Sequence, residues 1–341
     1  MNTNHLCKGI WLALVTAMLL AGCASGPLSH TEQQAVAGRT YVITGASSGI
    51  GRGVALQLAG LRANVVIAAR RAELLDQVAA QGNAAGAKVL AVPADVAQPA
   101  DVAGLAAAAV ARFGRIDVWI NNAGVGAIGR FEDIPIEDHA RVVDVNLKGV
   151  IYGSHAALRQ FRQQRQGILI NIGSVESEVP QAYHASYSST KAAVLSLGRA
   201  LNEEMRLAGT PQIEVVTVMP WATDTPFFEH AANYTGHSAR MPAMDEAQKA
   251  VDVIVRASLY PREEVPVGWK ASAAVLGHRL TPDLSERMSA NMAHKAQFEK
   301  APATAPPTSG AVHQPMPGGQ GVDGGVRARM RAEDEAREGK R

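Results

Sequence analysis

The chain has 341 residues, 47% hydrophobic and 19% charged, which supports a sizeable buried core and excludes a wholly disordered protein. Its 33 basic and 31 acidic side chains leave a net charge of +2, too balanced for a dedicated nucleic-acid binder. The two cysteines, Cys7 and Cys23, are too few for a disulfide framework or a cysteine-rich metal site, and we expect no metal.

The amino-terminal segment has the length of a signal peptide. Lys8 precedes an apolar run at residues 10–21, which as a helix rises about 18 Å, well short of the roughly 30 Å hydrocarbon core of a bilayer. The run ends in the letters LAGC, with Cys23 last, and resembles the lipobox of bacterial lipoproteins. The resemblance implies a signal peptide at 1–22, lipid attachment at Cys23, a polar tether at 23–38 and a membrane-anchored protein of the cell envelope. The alternative is a cytoplasmic protein with an apolar extension, or with a start at Met18.

Short apolar runs separated by stretches of helical length follow the tether. Runs without alternation between such stretches are typical of a parallel sheet with helices on both faces. We therefore predict an α/β fold, a Rossmann-type doubly wound parallel sheet of about seven strands in one domain at 39–268. The expected helices include 100–113, 137–164 and 245–258. The expected strands are 40–44, 64–69, 88–92, 116–121, 167–172, 213–219 and 264–268.

The character of the sequence changes after Gly268. Residues 269–300 predict a helical extension, with helices at 269–279 and 283–298 that cap the domain. Its expected apolar contacts are Trp269, Leu276, Met288 and Met292. Residues 301–341 contain five prolines and seven glycines and too few apolar residues to order themselves, so we expect a disordered tail.

A glycine-rich turn follows the first predicted strand directly. Gly45 permits a tight turn, Gly49 lets the backbone approach a pyrophosphate, and Gly51 lets the next helix sit close to the sheet. The helix start then offers free N–H groups and a positive dipole end to an anion. This position between strand and helix predicts a dinucleotide site, although a glycine-rich turn can be only a turn. The expected site residues are Gly45, Ser47, Ser48, Gly49, Ile50 and Gly51.

The end of the second predicted strand indicates which dinucleotide is bound. A carboxylate there would bind the adenosine ribose hydroxyls, but this chain has Arg70 and Arg71 instead. The planar donor fork of Arg70 suits a 2′-phosphate, so NADP is favoured over NAD. The alternative is a pair of surface arginines at a helix start.

Tyr187 and Lys191 lie one turn apart on a predicted helix. A nearby ammonium, together with the positive nicotinamide of an oxidised cofactor, favours the phenolate and would lower the pKa of the phenol. Tyr187 can then exchange a proton with a substrate hydroxyl while hydride moves. Ser174 closes the fifth strand and can hydrogen-bond the same substrate oxygen.

Taken together and in this order, these segments closely resemble the short-chain dehydrogenase/reductase family over residues 38–268. The resemblance implies that Ser174, Tyr187 and Lys191 are catalytic and that Asn146 holds a water beside the lysine. Tyr187 and Lys191 also contact the cofactor in this family, and dimers and tetramers are frequent. The further cofactor contacts that it implies are Asp95, Val96, Asn122, Ala123, Gly124, Pro220 and Thr225. Trp221 replaces a small residue of the family pattern, which puts the substrate range in doubt.

We therefore expect an oxidoreductase that transfers hydride between NADP(H) and an alcohol or carbonyl substrate. Phe227, Phe228, Tyr234 and Met241 in the following loop favour a fairly apolar small molecule. The alternative is a non-catalytic NADP-binding sensor or scaffold. Loss of the serine, tyrosine or lysine would have indicated that alternative, and all three are present.

Overall fold

The computed structural model describes residues 26–302 and 305–339. Seven strands form one parallel sheet in the order β11-β7-β6-β4-β1-β2-β3, and four short strands pair as β10-β8 and β5-β9. The strands are β1 Thr40–Thr44, β2 Asn64–Ala69, β3 Lys88–Pro93, β4 Val118–Asn121, β5 Ala127–Ile128, β6 Gly167–Ile172, β7 Ile213–Met219, β8 Thr223–Asp224, β9 Ala232–Asn233, β10 Asp245–Glu246 and β11 Glu264–Pro266.

Helices cover both faces of the sheet. The predicted helix at 137–164 is divided by a π-helical turn, Asp144–Lys148, into α5 and α6. None of the helices in the described part of the chain is both long and apolar enough to cross a bilayer. The helices are α1 His30–Val36, α2 Gly49–Gly60, α3 Ala72–Ala84, α4 Pro99–Phe113, α5 Ile136–Val143, α6 Gly149–Gln164, α7 Ala185–Leu207, α8 Phe227–His230, α9 Ala247–Ala257, α10 Gly268–Leu280, α11 Pro282–His294 and α12 Val326–Glu338.

Strand β1 shows why the predicted apolar runs become central strands. All five of its residues are buried, and successive side chains point to opposite faces of the sheet. Tyr41 and Ile43 join one apolar core with Leu58 of α2, whereas Val42 joins the other with Leu105 of α4. The doubly wound α/β fold is therefore confirmed, with β4 and β11 shorter than their predicted runs.

The predicted tether is partly helical. The signal peptide and Cys23 lie outside the described residues, but α1 occupies much of 26–38. Ser29 and Glu32 form a reciprocal capping box at its start, and Glu32 also forms an ion pair with Arg256. The polar composition of residues 23–38 led to the prediction of a tether. Composition does not show that this segment docks on α9.

The helical extension is present, but its large apolar side chains do not pack as predicted. Trp269 is 74% exposed and Leu276 is 56% exposed. Helix α10 instead packs through Ala271 and Val275, because its small residues face the sheet. Met288 and Met292 of α11 are likewise exposed rather than buried against the domain.

The prediction of a disordered tail at 301–341 is wrong for most of that segment. Its described part crosses the domain and ends in α12. Val312 and Val326 are buried, and Arg240 of the domain holds α12 through Glu333 and Asp334. Composition measures what a segment can bury by itself, whereas this segment is ordered by a surface that the rest of the chain provides.

Candidate functional site

A cavity of about 610 Å³ opens at the carboxyl ends of the strands. It brings together predicted site residues from seven segments of the chain. Gly51 and Asn146 lie behind its surface rather than on it. The predicted residues on its wall are Gly45, Ser47, Ser48, Gly49, Ile50, Arg70, Asp95, Val96, Asn122, Ala123, Gly124, Ser174, Tyr187, Lys191, Pro220 and Thr225.

The glycine turn is a cradle that a side chain would fill. Gly45 has a φ of +68°, and a Cβ there would lie 2.7 Å from Ala123 Cα. A Cβ on Gly51 would lie 2.4 Å from the Gly45 carbonyl oxygen. The Asn122 amide donates to the carbonyls of Thr44 and Gly45, at 2.9 and 3.2 Å, and holds the turn in place. The residues present therefore fit a dinucleotide whose phosphates lie against bare backbone.

The start of α2 lies at this cradle. Ser48 is its N-cap residue but makes no side-chain cap hydrogen bond. Its hydroxyl instead accepts from Arg71 at 2.8 Å, and the Ser47 hydroxyl accepts from the same guanidinium at 3.2 Å. A cation therefore stands beside the positive end of the helix dipole, which strengthens the attraction of this corner for an anion.

Arg70 and Arg71 concentrate positive charge at the adenosine end. In the described part of the chain, they donate only to carbonyl and hydroxyl oxygens, and Arg70 takes its acceptors from Ala311, Val312 and His313. Burial lowers the pKa of Arg70, and Asp95 opposes that shift. The Asp95 carboxylate forms an ion pair with Arg141. The cluster therefore has a surplus of cations.

The catalytic candidates meet at the opposite end of the cavity. Tyr187 and Lys191 lie on the first turns of α7, and the Lys191 Nζ is 5.5 Å from the centroid of the Tyr187 ring. That ammonium donates to the Ile172 carbonyl at 2.7 Å. Ser174 lies just after β6, where its hydroxyl accepts the Glu176 N–H at 3.1 Å. One phenol, one hydroxyl and one ammonium thus face the same space.

The pKa of Tyr187 differs from the sequence expectation. Burial and the Glu176 carboxylate raise it well above its usual value, against a smaller lowering by Ser174. Burial lowers the pKa of Lys191 to about 8, and Glu176 opposes this shift. The expected lowering also relied on the positive nicotinamide of an oxidised cofactor, whereas the protein groups alone raise the pKa of Tyr187, through burial and the Glu176 carboxylate. The Tyr187 phenol therefore keeps its proton at neutral pH.

Two asparagines brace the site from behind. Asn146 lies in the π-helical turn, where its side chain accepts from the Val125 N–H at 2.8 Å and donates to the Val125 carbonyl at 2.9 Å. A Cβ on Gly124 would lie 3.5 Å from Asn146 Oδ1 and 3.8 Å from Lys191 Nζ, so the asparagine stands near the lysine. Asn121 joins β4 to β6 by donating to Asn171 Oδ1 at 2.9 Å.

The substrate end is largely apolar. Phe227 lies beside the phenol, with 5.4 Å between the ring centroids of Phe227 and Tyr187. Trp221 lines the cavity and donates to the Ala243 carbonyl at 3.1 Å, so its ring forms a wall of the site. Tyr234 does not line the cavity, because its hydroxyl donates to Asp138. Helix α11 completes the apolar wall with Leu284, Met288 and Met292.

Sequence reasoning missed a buried carboxylate in this wall. Glu176 accepts from the Ser188 hydroxyl at 2.6 Å, and its other oxygen lies 3.2 Å from His184 Nδ1. The sequence did offer one sign of it. An acidic residue stands two positions after Ser174, and a segment that carries a catalytic serine is expected to line a buried site.

Comparisons with known proteins show the family and the fold of the chain. The family model described as short chain dehydrogenase matches residues 39–235. The chain is 33% identical to the uncharacterized oxidoreductase YxnA of Bacillus subtilis over 268 residues, which cover 78% of this chain and 75% of the relative. It is 34% identical to an uncharacterized oxidoreductase of Staphylococcus haemolyticus over 194 residues, 57% of this chain and 82% of that protein.

Two solved structures of nucleotide complexes share the fold. A short-chain dehydrogenase/reductase from Burkholderia phymatum in complex with NAD is 26% identical, with a TM-score of 0.66 over 73% of this chain and 95% of that one. An alcohol dehydrogenase from the archaeon Thermococcus sibiricus complexed with 5-hydroxy-NADP is 26% identical, with a TM-score of 0.58 over 67% of this chain and 95% of that one.

Proposed function

The chain belongs to the short-chain dehydrogenase/reductase family of oxidoreductases, and from this premise we propose that it transfers hydride between NADP(H) and an alcohol or carbonyl compound. The observation that carries the proposal is the single cavity, which joins the glycine cradle to Tyr187, Ser174 and Lys191. A bound nicotinamide would supply or accept the hydride there.

The side chains around the cavity divide the remaining work. The raised pKa of Tyr187 keeps its proton available for the oxygen of a carbonyl substrate as that oxygen gains negative charge. The Ser174 hydroxyl can donate to the same oxygen while it accepts from the Glu176 N–H. Lys191 places a positive charge beside the phenol and stabilises the phenolate left after proton transfer. Asn146 and the Ile172 carbonyl hold that part of the site in position.

Turnover with a panel of aldehydes, ketones and alcohols tests the activity. We expect NADPH-dependent reduction of at least one apolar carbonyl compound. Tyr187→Phe removes only the hydroxyl, so this variant should fold and bind NADPH but lose a factor of roughly 100 to 10,000 in turnover. Near-normal turnover by Tyr187→Phe would contradict the assignment. Absence of turnover by a protein that binds NADPH would favour a sensor or scaffold.

The preference for NADP rests on the adenosine end of the cavity. Arg70 and Arg71 provide planar donor groups, and in the described part of the chain neither has a carboxylate partner. A 2′-phosphate would bring the anion that this corner lacks, whereas the ribose of NAD would leave the surplus charge uncompensated.

The substrate class follows from the opposite end. Phe227, Phe228 and Met241 face the space in front of Tyr187, and α11 adds two methionines and a leucine. Polar side chains also line this end, among them Glu176, Gln181, His184 and Ser289, and Glu176 has its hydrogen bonds within the protein. A small or medium apolar alcohol or ketone fits this lining better than a highly charged one.

We further propose lipid attachment at Cys23, on the sequence alone. Mass spectrometry of the purified amino terminus tests it, with Cys23→Ser as the control. A diacylated or triacylated Cys23 is the expected result. An intact Met1, or a chain that starts near Met18 in the soluble fraction, would return the protein to the cytoplasm.

A further inference from the structure

The carboxyl-terminal segment crosses the cofactor cavity before it reaches α12. We call residues 308–324 the strap. It starts at Thr308, which exchanges two backbone hydrogen bonds with Asn233 of β9 at 2.8 and 3.0 Å. It ends where the Asp224 carboxylate accepts the N–H groups of Val326 and Arg327 at the start of α12. Both ends are therefore fixed to the loop that follows β7, and the strap lies outside the segment that the family model covers.

Between these ends the strap reaches the adenosine side of the cavity. Its carbonyls at 311–313 accept from Arg70, and those of Met316 and Gly318 accept from Arg71 at 3.2 and 3.1 Å. Its Gly321 carbonyl accepts the first N–H of α2, from Gly49, at 2.8 Å. Arg70 reaches the strap through Nη1 and Nη2 and has five N–H donors in all, so it can hold the strap and an anion beneath the strap together.

The side chains of Val312 and His313 attach the strap to the domain. Val312 is fully buried in the core beneath α4 and α6. His313 Nε2 lies 2.7 Å from Asp138 Oδ1, and the other oxygen of that buried carboxylate accepts from Tyr234 at 2.6 Å. The strap is therefore attached at both edges of the cavity and in its middle.

The strap covers the cavity and does not fill it. Ala311, Pro315 and Met316 form one wall, and the glycine cradle, Asp95 and Val96 form the wall opposite. With the strap in place, the whole cavity, from these residues to Tyr187, keeps a volume of about 610 Å³. A molecule in this space would be enclosed on the adenosine side by a segment that must detach before the molecule can leave.

We propose that the strap closes over the dinucleotide and controls its exchange, so that the cofactor is retained through many turnovers. This inference rests on the proposed function, since it assumes that the cavity binds NADP. Release then requires the carbonyl contacts to Arg70, Arg71 and Gly49 to break together. The strap acts on the rate of exchange and supplies no group to the chemical step.

Two glycines at the ends of the strap provide a matched test. Gly310 and Gly325 both have positive φ, at +53° and +69°, so alanine strains the backbone at either position. A Cβ on Gly310 would lie 2.3 Å from the His230 carbonyl oxygen, whereas a Cβ on Gly325 meets nothing within 4 Å. Gly310→Ala should therefore lift the strap, and Gly325→Ala, just outside it, should carry the backbone strain alone.

The measurement is the release of bound NADPH, chased with excess NADP⁺ and followed by fluorescence. We expect Gly310→Ala to release NADPH about tenfold faster than the unaltered protein, with Gly325→Ala within about twofold of it. Equal release rates for Gly310→Ala and the unaltered protein would overturn the proposal. Slower release or tighter binding by Gly310→Ala would also overturn it, because the strap would then be a competitor of the cofactor.

Hydrogen exchange of the unaltered protein gives a second test that needs no variant. The N–H groups of Ala311 and Gly324 donate to the domain, to the carbonyls of His230 and Asp224. We expect their exchange to slow when NADPH is bound beneath the strap, and faster exchange would contradict enclosure. If neither NADPH nor NADH binds the unaltered protein, the proposed function fails. Binding without a change at the strap refutes this inference alone.

Discussion

At the scale of single residues, the phenol of Tyr187 has three kinds of neighbour: the Lys191 ammonium, the Glu176 carboxylate and apolar side chains such as Phe227. The Lys191 ammonium favours its ionised form, whereas burial and the Glu176 carboxylate favour the protonated form and prevail. The phenol therefore keeps its proton at neutral pH, as the proposed reduction of a carbonyl group requires. A bound oxidised nicotinamide would add positive charge and favour the phenolate needed for alcohol oxidation.

Glu176→Gln should move the pH dependence of alcohol oxidation. It removes a negative charge beside the phenol, which lowers the pKa of Tyr187 and populates the phenolate at lower pH. We expect kcat/KM for oxidation to begin its rise at a lower pH than in the unaltered enzyme. At neutral pH, kcat/KM of the variant should be roughly two- to tenfold higher than that of the unaltered enzyme. Glutamine can still accept from Ser188, which limits structural damage. A profile displaced to higher pH would contradict this account of the phenol.

Arg70→Ala should abolish most of the preference for NADPH over NADH. A 2′-phosphate would lose a charge-assisted bidentate partner, worth roughly 10- to 100-fold in the ratio of the two dissociation constants. Arg70 also holds the strap, but that effect is common to both cofactors and cancels in the ratio. Arg115→Ala, just before the amino end of β4 and away from the cavity, is the control and should leave the ratio unchanged. Tighter binding of NADH by the unaltered protein would refute the assignment.

The sequence predicted the residues of this site unevenly. The glycine turn, Tyr187 and Lys191 could be predicted from local spacing, because the residues of each motif lie within a few positions of one another in the chain. Glu176 and the partners of Arg70 depend on contacts between distant segments, which no spacing shows. Arg70 was predicted as a ligand for a phosphate, and the structure adds a second role, in which it donates to carbonyls more than 240 positions away.

At the scale of elements, the strands were the most predictable part of the fold. Central parallel strands are buried on both faces, so β1, β2, β6 and β7 are continuous apolar runs with recognisable ends. The elements that dock from outside, α1 and α12, are polar and were predicted as a tether and a disordered tail. Their order comes from ion pairs to Arg256 and Arg240, which composition does not reveal.

Helix α12 is held to the domain by ion pairs of two kinds, one buried and one exposed, whose effects on its stability can be compared. Arg240 is buried between Glu333 and Asp334, whereas Arg327 pairs with the exposed Glu246. The double variant Glu333→Gln with Asp334→Asn should leave a buried cation unpaired and cost about 3 kcal/mol, or roughly 100-fold faster hydrogen exchange in α12. Glu246→Gln should cost less than about 1 kcal/mol. Equal effects of the two changes would show that Arg240 does not hold the helix.

At the scale of the whole molecule, the first described residue, Gly26, and the cavity lie at opposite ends of the strands. Gly26 accepts from Arg256 at the end of α9, near the amino end of β1, whereas the strap and the cavity lie at the carboxyl ends of the strands. A lipid on Cys23 is three residues away, a reach of about 10 Å at most. An anchored molecule would therefore direct its cavity away from the membrane, and a retained cofactor would suit a protein working where free NADP is scarce.

The central claim is that this cavity moves hydride between NADP(H) and a carbonyl carbon with Tyr187 as proton donor. Its most direct test is isotope transfer from NADPH carrying deuterium at nicotinamide C4, prepared as each stereoisomer, with an accepted ketone as substrate. We expect the product alcohol to carry deuterium on its carbinol carbon from one stereoisomer, and Tyr187→Phe to form almost none. An unlabelled product from both stereoisomers, or equal labelling by Tyr187→Phe, would contradict the account.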